Sequence, residues 1–352
     1  MNHPNVHQPW SEWSDSQTLH VACCYSNPFR WRTRRELMNN FRFQMEQSPN
    51  VKLYVGEVAF GDRPFEVTSP DNPQDIQFRS SSELFLKENV QKEVIKHWPL
   101  DWKYGATIDA DFHFTRHDWA LETVHQLQHY DFVQLFSSYA DLSGDVYGQK
   151  DVPLRYNSSF IFNYFQNGCK VSDVYHNSRK PNGKIDKEGY EESMLVRGVG
   201  ATGGALGFTK SAYEKVDGLM DRCVLGHADW SMMYSLAGLM PPDANSQNYA
   251  PDYKHYIRTW FERAQVIKRN IGYVDGFCIH YFHGSKTRRA YSSRDAILAK
   301  HQFSPYRDLH QTSRGIWQLT DDKPGLRDDI RQYFISRFED DPKWYGPEKL
   351  LI

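Results

Sequence analysis

Two aspartates flank one alanine, Asp109-Ala110-Asp111, directly after the short apolar run Tyr104–Ile108. Carboxylates at that spacing, at the exit of a strand, can reach one divalent cation directly or through water. Mg²⁺ and Mn²⁺ prefer oxygen ligands and share them with substrate phosphates. The carboxyl end of a sheet strand is also where open α/β folds bind ligands. The plainer alternative is a solvated strand-end turn. A second cluster, His280-Tyr281-Phe282-His283-Gly284-Ser285-Lys286, closes the apolar run 272–279. Either histidine offers a third, nitrogen ligand. Gly284 lets backbone N–H groups approach an anion, and Lys286, Arg288 and Arg289 carry charge suited to a diphosphate. Packed histidines and a solvated basic turn are the alternative there.

Two further stretches hold chemistry-bearing residues. Gly203-Gly204-Ala205-Leu206-Gly207-Phe208 invites a close backbone approach to a ligand, and Asp229 follows it at the start of a helix. Asp229 is either a first-turn helix charge or a general base that accepts the proton of an acceptor hydroxyl. Asn27-Pro28-Phe29-Arg30-Trp31-Arg32-Thr33-Arg34 follows the first apolar strand. A loop and helix start at that place suits a nucleotide, with arginines for phosphate and an aromatic ring for the base. A basic surface face explains the same residues. Lys87, in Lys87-Glu88-Asn89, either reaches the ligand from a helix or points to solvent.

These residues must be carried by regular elements. Apolar, β-branched runs predict strands at 18–24, 51–58, 104–108, 131–136, 203–208 and 272–279. Helical spacing predicts helices at 34–47, at 82–97 with Ser81 or Ser82 as cap, at 119–129, near 211–216 and after Asp229. Stretch 61–75, with Pro64, Pro70 and Pro73, reads as loop. Alternation of strands and helices predicts an α/β protein with a mostly parallel, doubly wound sheet. Residues 137–197 lose the pattern and read as an acceptor-side insertion, and the polar tail from 304 as partly helical. The expected organisation is a polar leader at 1–17, one catalytic domain at 18–300 and an extension at 301–352 packed on it. The catalytic domain divides into a nucleotide-sugar half, 18–136, and an acceptor half, 137–300.

A net charge of −2 excludes a global electrostatic footprint for nucleic acid and leaves basic islands at 30–35 and 286–289. Cys23, Cys24, Cys169, Cys223 and Cys278 are odd in number and lack CxxC spacing. That pattern predicts reduced thiols in a cytoplasmic protein. Residues 1–16 contain no apolar core of a signal peptide, and no run approaches about 20 apolar residues, so no membrane span is expected.

Taken in order, the first-strand loop, strand-end DxD, glycine pair, later acid and C-terminal histidine resemble a GT-A glycosyltransferase. The stretch 203–229 resembles the acceptor side of family-2-type enzymes, where a glycine-rich strand precedes an acidic base. Their usual Glu-Asp pair is here His227-Ala228-Asp229, so only Asp229 matches. The His-Gly-Ser-Lys end resembles the residues closing the donor site of glycogenin-like enzymes, at different spacing. The order of NP-x-x-aromatic, KE, IDAD and HxxHG-K blocks, over roughly residues 18–335, is similar to poorly characterised phage and bacterial glycosyltransferases.

The resemblance implies a GT-A type fold: a Rossmann-like, mostly parallel central sheet flanked by helices, with an acceptor-side insertion and a helical C-terminal tail. It implies Mn²⁺ or Mg²⁺ on Asp109 and Asp111 with His283 or His280 as third ligand, and Asp229 beside the reacting hydroxyl. The donor is then a nucleoside-diphosphate sugar, UDP-linked by preference. Its contacts fall to Asn27, Pro28, Arg30, Trp31, Arg34, Lys87, Asp109, Gly203, Gly204, Gly284, Lys286 and Arg288. A phage-type relative implies a hydroxymethylated pyrimidine in DNA as acceptor; glycans and proteins are the other acceptors considered. Two other classes fit the same residues: a nucleotide- or carbohydrate-binding module without turnover, and a metal-dependent phosphohydrolase or nucleotidyltransferase.

Overall fold

The computed structural model describes residues 17–144, 152–171, 199–290 and 293–341, with the backbone alone at Arg155 and Lys286. Residues 1–16 of the expected leader and the end of the tail lie outside these residues.

Strand β1 (Leu19–Ser26) alternates its side chains between two apolar layers, Leu19, Val21 and Cys23 on one face and Ala22 on the other. Helix α1 (Arg32–Gln47) turns Met38, Phe41 and Met45 onto the first face. The chain returns through β2 (Val51–Phe60) and β3 (Asp75–Ser80), both parallel to their inner neighbours. Helix α2 (Lys87–Ile95) places Val90 and Val94 on the opposite face from α1. Then come β4 (Tyr104–Ile108), β5 (Phe112–Phe114), α3 (Trp119–Leu127) and β6 (Phe132–Gln134).

Beyond β6 the chain builds a second, smaller sheet. Strands β7 (Ser138–Leu142) and β8 (Pro153–Ser158) form an antiparallel pair, followed by α4 (Phe160–Gln166). Strand β9 (Ala205–Thr209) re-enters the main sheet, leading into α5 (Lys210–Lys215), α6 (Ala228–Leu236) and α7 (Pro251–Ala264). Two short strands follow, β10 (Ile271–Tyr273) and β11 (Phe277–His280). The C-terminal part comprises α8 (Lys286–Arg289), α9 (Ala296–Lys300), the hairpin β12 (Leu309–Gln311) and β13 (Trp317–Leu319), and α10 (Pro324–Arg337).

The protein is mixed α/β, with a central, mostly parallel sheet flanked by helices. Its seven strands run β10-β6-β9-β4-β1-β2-β3, and β9 runs against both neighbours. The second sheet runs β5-β11-β7-β8. No helix among the described residues is long and apolar enough to cross a membrane.

Three expectations need correction, and one strand was not among those expected. The stretch 272–279 is not one strand: β10 pairs with β6 and β11 with β5 and β7, so the chain changes sheets at Val274-Asp275-Gly276. A continuous apolar run cannot specify which sheet it joins. Helix α2 begins at Lys87, not at 82, and neither Ser81 nor Ser82 caps it; Leu86 occupies the cap, and Ser82 Oγ accepts the Leu319 amide at 3.0 Å. The proline-bearing stretch is loop as far as Gln74, and the edge strand β3 that begins at Asp75 had no counterpart in the expected elements. The described part of 137–197 is regular, holding β7, β8 and α4; the rest of that insertion lies outside the described residues.

Candidate active site

The carboxyl ends of β4 and β11 meet at a cavity of about 370 Å³. Asp109 closes β4 by donating its amide to the Gly204 carbonyl at 2.7 Å, which ties the paired aspartates to the paired glycines. Two residues on, the Asp111 carbonyl accepts the Tyr281 amide at 2.8 Å. Backbone bonds therefore set Asp109 and Asp111 against the glycine segment on one side and the histidine segment on the other.

The two aspartates have different partners. Asp109 accepts the Lys87 ammonium at 3.1 Å, and Lys87 also lies 3.4 Å from Glu88. Asp111 faces histidines: its Oδ2 is 3.2 Å from His283 Nδ1 and its Oδ1 is 3.7 Å from His280 Nε2. That Oδ1 is buried and has no hydrogen-bond partner among the described residues. His280 Nδ1 lies 2.6 Å from Asp141, which is itself buried. His280 Nδ1–H therefore donates to Asp141 and Nε2 faces Asp111, the arrangement in which a second carboxylate orients a metal-binding histidine.

Ligand atoms of Asp111, His280 and His283 all lie within 4.8 Å of one another. With the orphaned Oδ1, this one-oxygen, two-nitrogen set fits a divalent cation such as Mn²⁺. Asp109 is outside that trio and faces Lys87. His283 Nε2 accepts from Arg289 at 2.6 Å, so the neutral ring carries its proton on Nδ1, facing Asp111, and that proton must leave before Nδ1 can hold a cation.

Electrostatics follow the same division. Burial, Arg289 and His280 push His283 down to about 3 against the pull of Asp111, which keeps the ring neutral. Burial also opposes charge on His280, but Asp111 and Asp141 outweigh it and raise its pKa. Burial would raise Asp111, yet His283, His280 and Arg289 hold it well below the usual carboxylate range. Asp109 is pushed up by burial and by Asp111, with Lys87 pulling the other way.

Asp229 enters from the first turn of α6 and lines the same cavity. Its Oδ1 accepts the Trp230 amide at 2.9 Å. A Cβ at Gly203 would stand 2.3 Å from Asp229 Oδ2, so the carboxylate can lie there only against a glycine. Gly204 has a φ of +98° and packs on the Phe112 ring, where a Cβ would approach to 2.4 Å. His227, just ahead of Asp229, adopts a left-handed φ of 72°. Its Nδ1 is 2.8 Å from Asp295 and 3.7 Å from Asp243. Burial disfavours its charge, but these carboxylates raise it to about 9.

Of the residues singled out in the sequence, Arg34, Lys87, Asp109, Asp111, Gly203, Gly204, Asp229, His280, His283 and Arg289 line the cavity. Asn27, Pro28, Arg30, Trp31, Gly284 and Arg288 do not. Asn27 is buried and ties its own loop, donating to Tyr25 Oη and to the Trp31 carbonyl at 2.9 Å each. The Pro28 carbonyl accepts from Arg63, and Arg30 pairs with Glu66 at 2.9 Å. Trp31 is buried beneath the Arg34 guanidinium. Gly284, at φ +98°, packs against Glu339. Arg288 pairs with Asp341 at 2.8 Å and lies over Phe338. Lys286 opens α8.

The start of α1, expected to receive phosphate, receives a carboxylate instead. Asp340 accepts from the amides of Arg32 and Thr33 at 2.6 and 3.0 Å. Sequence reasoning missed Asp141, His227, Arg294 and Arg337 as cavity residues. Asp141 sat in the patternless stretch, and Arg337 in the tail set aside as an extension. His227 had a signal, as it stands in place of an expected acid next to Asp229.

No family model and no curated protein matches the sequence. Among solved structures the chain is similar to a Desulfovibrio desulfuricans G20 protein named "putative nucleotide-diphospho-sugar transferase". The likeness covers 82% of this chain and 98% of that one, at 11% identity and a TM-score of 0.33. A likeness of that size assigns neither site nor activity.

Proposed function

We propose that this chain is a metal-dependent glycosyltransferase of GT-A type that takes a sugar from a nucleoside-diphosphate donor, UDP-linked by preference, and passes it to a hydroxyl acceptor. One observation carries the reading. A single cavity is lined by three side chains whose ligand atoms suit a metal ion, a separate carboxylate and several guanidiniums. Asp111, His280 and His283 would hold Mn²⁺ or Mg²⁺, which would supply charge to a departing diphosphate. Arg34, Arg289 and Arg337 add donors for the same anion. Lys87 fixes Asp109 at the cavity edge and carries charge toward it. Asp229, beside Gly203, stands as the base that takes the acceptor's proton; direct displacement with that base inverts the anomeric centre.

A phosphohydrolase would use the same metal and arginines, with Asp229 activating water in place of an acceptor hydroxyl, so transfer itself separates the two. Nucleotide sugars offered with and without Mn²⁺ test the proposal. Metal-dependent stabilisation by one donor, with sugar transfer to an added hydroxyl compound, supports it. Donor hydrolysis at one rate whatever acceptor is present would assign a phosphohydrolase. Offering hydroxymethylated DNA, glycans and protein in parallel selects the acceptor class.

A further inference from the structure

Arg34 and Arg337 come from opposite ends of the chain, the first turn of α1 and the last turn of α10, and both line the cavity. Glu339 lies between them, with 0% of its surface exposed. Its Oε2 accepts Arg34 Nε at 2.7 Å. Its Oε1 accepts Arg34 Nη2 at 2.8 Å and Arg337 Nη2 at 2.7 Å. Two guanidiniums this close repel, and a buried carboxylate shared between them offsets that repulsion. Burial works against the charged carboxylate, but Arg337 and Arg34 bring its pKa down to about 2.

Neither arginine is exhausted by this pairing. Arg34 uses Nε and Nη2 on Glu339 and Nη1 on the Ser26 carbonyl, so part of its five-donor fork stays available. Arg337 is buried, and its Nε has no hydrogen-bond partner among the described residues. Glu339 is itself fixed from the following residue, since Asp340 binds the first amides of α1. Gly284 closes the other side, where a Cβ would stand 3.1 Å from Glu339 Cγ.

We propose that Glu339 is the positioning residue of the donor's diphosphate subsite, holding Arg34 and Arg337 side by side so that their remaining N–H groups meet adjacent phosphates. The proposal rests on the donor reading above. It assigns to the C-terminal segment a part in donor binding. Planar guanidiniums held in fixed register suit phosphate oxygens better than the same charges left mobile. The opposite role, in which Glu339 competes with phosphate for the two arginines, predicts tighter phosphate binding once the carboxylate is removed.

Calorimetric titration of the full chain with orthophosphate, pyrophosphate, uridine and UDP separates these outcomes. The wild type is expected to bind pyrophosphate and UDP in preference to orthophosphate and uridine. Glu339→Gln is expected to weaken pyrophosphate and UDP about tenfold while leaving uridine unchanged. Unchanged or tighter pyrophosphate binding in that variant would overturn the proposal and leave the donor reading standing. A wild type that binds neither pyrophosphate nor UDP would overturn both. Should Glu339→Gln fail to fold, Arg337→Gln keeps the Arg34–Glu339 pair and is expected to show the same selective loss; retention of pyrophosphate affinity there would count against the proposal.

Discussion

The cavity has two walls built in different ways. The carboxylate and histidine wall hangs from the ends of β4 and β11, and backbone bonds from Asp109 to Gly204 and from Tyr281 to Asp111 hold it. The arginine wall is carried by helices, with the Arg34 bond to the Ser26 carbonyl tying it to a strand end. Arg34 meets Glu339 across 305 residues of sequence, and Thr33 meets Asp340 across 307. Strand ends place side chains through the geometry of the ladder, whereas the arginine wall depends on buried charge pairs. Breaking a buried pair strands a charge, at roughly 3–5 kcal/mol. The first wall should therefore fail in chemistry when altered, and the second in binding and stability.

The largest effect is expected on the strand-end wall. Asp111→Asn removes the central oxygen of the trio, and several kcal/mol of charge stabilisation with it, roughly 10³-fold in turnover. The fold should persist, because the backbone bonds of residue 111 are untouched. Turnover against Mn²⁺ concentration, with circular dichroism alongside, checks this; full activity would remove the metal assignment. Asp229→Asn is expected to retain donor binding and lose about 10²- to 10³-fold in transfer. Equal transfer rates in the variant and the wild type would leave the base elsewhere.

A smaller, pH-dependent effect falls between the walls, at His227. Its pKa is raised above 6.5 to about 9 in the folded chain. A group raised on folding stabilises fully below its unfolded pKa, and that contribution fades as pH climbs through the folded value. Stability should thus fall between about pH 6.5 and 9, by at most about 3 kcal/mol, and His227→Gln should flatten the decline. Urea melts across that range measure it; parallel curves for the two proteins would assign the decline to other groups. The smallest effect belongs to the tail. Asp340→Ala uncaps α1 and should cost about 1 kcal/mol, read from the midpoint of thermal unfolding. No change in the melt would mean that water replaces the cap without loss.

Much of the first wall was legible. Tyr104–Ile108 is apolar and ends in two acids, so both the strand and the reach of its carboxylates follow from neighbouring residues. The glycine pair ahead of Asp229 signalled a close approach to the backbone, but the group that lies against Gly203 is the Asp229 carboxylate and not a ligand. The arginine wall was largely illegible. Arg30 and Arg288 look as suited to phosphate as Arg34, yet Glu66 and Asp341 claim them outside the cavity. Arg337 and Glu339 lie in a polar tail whose pattern says only that it is partly helical.

Periodicity and residue type were enough to determine that this chain alternates strands and helices, and that acids and histidines end two of its strands. Both are local properties, set by side-chain spacing of two or 3.6 residues and by the chemistry of neighbours. The tertiary structure decided that 272–279 divides between two sheets, that Asp109 faces Lys87 while Asp111 faces the histidines, and which arginines reach the cavity. Those outcomes depend on pairing between residues far apart in the chain, where a charge accepts whichever counter-charge the fold brings nearest, and no local pattern encodes that partner.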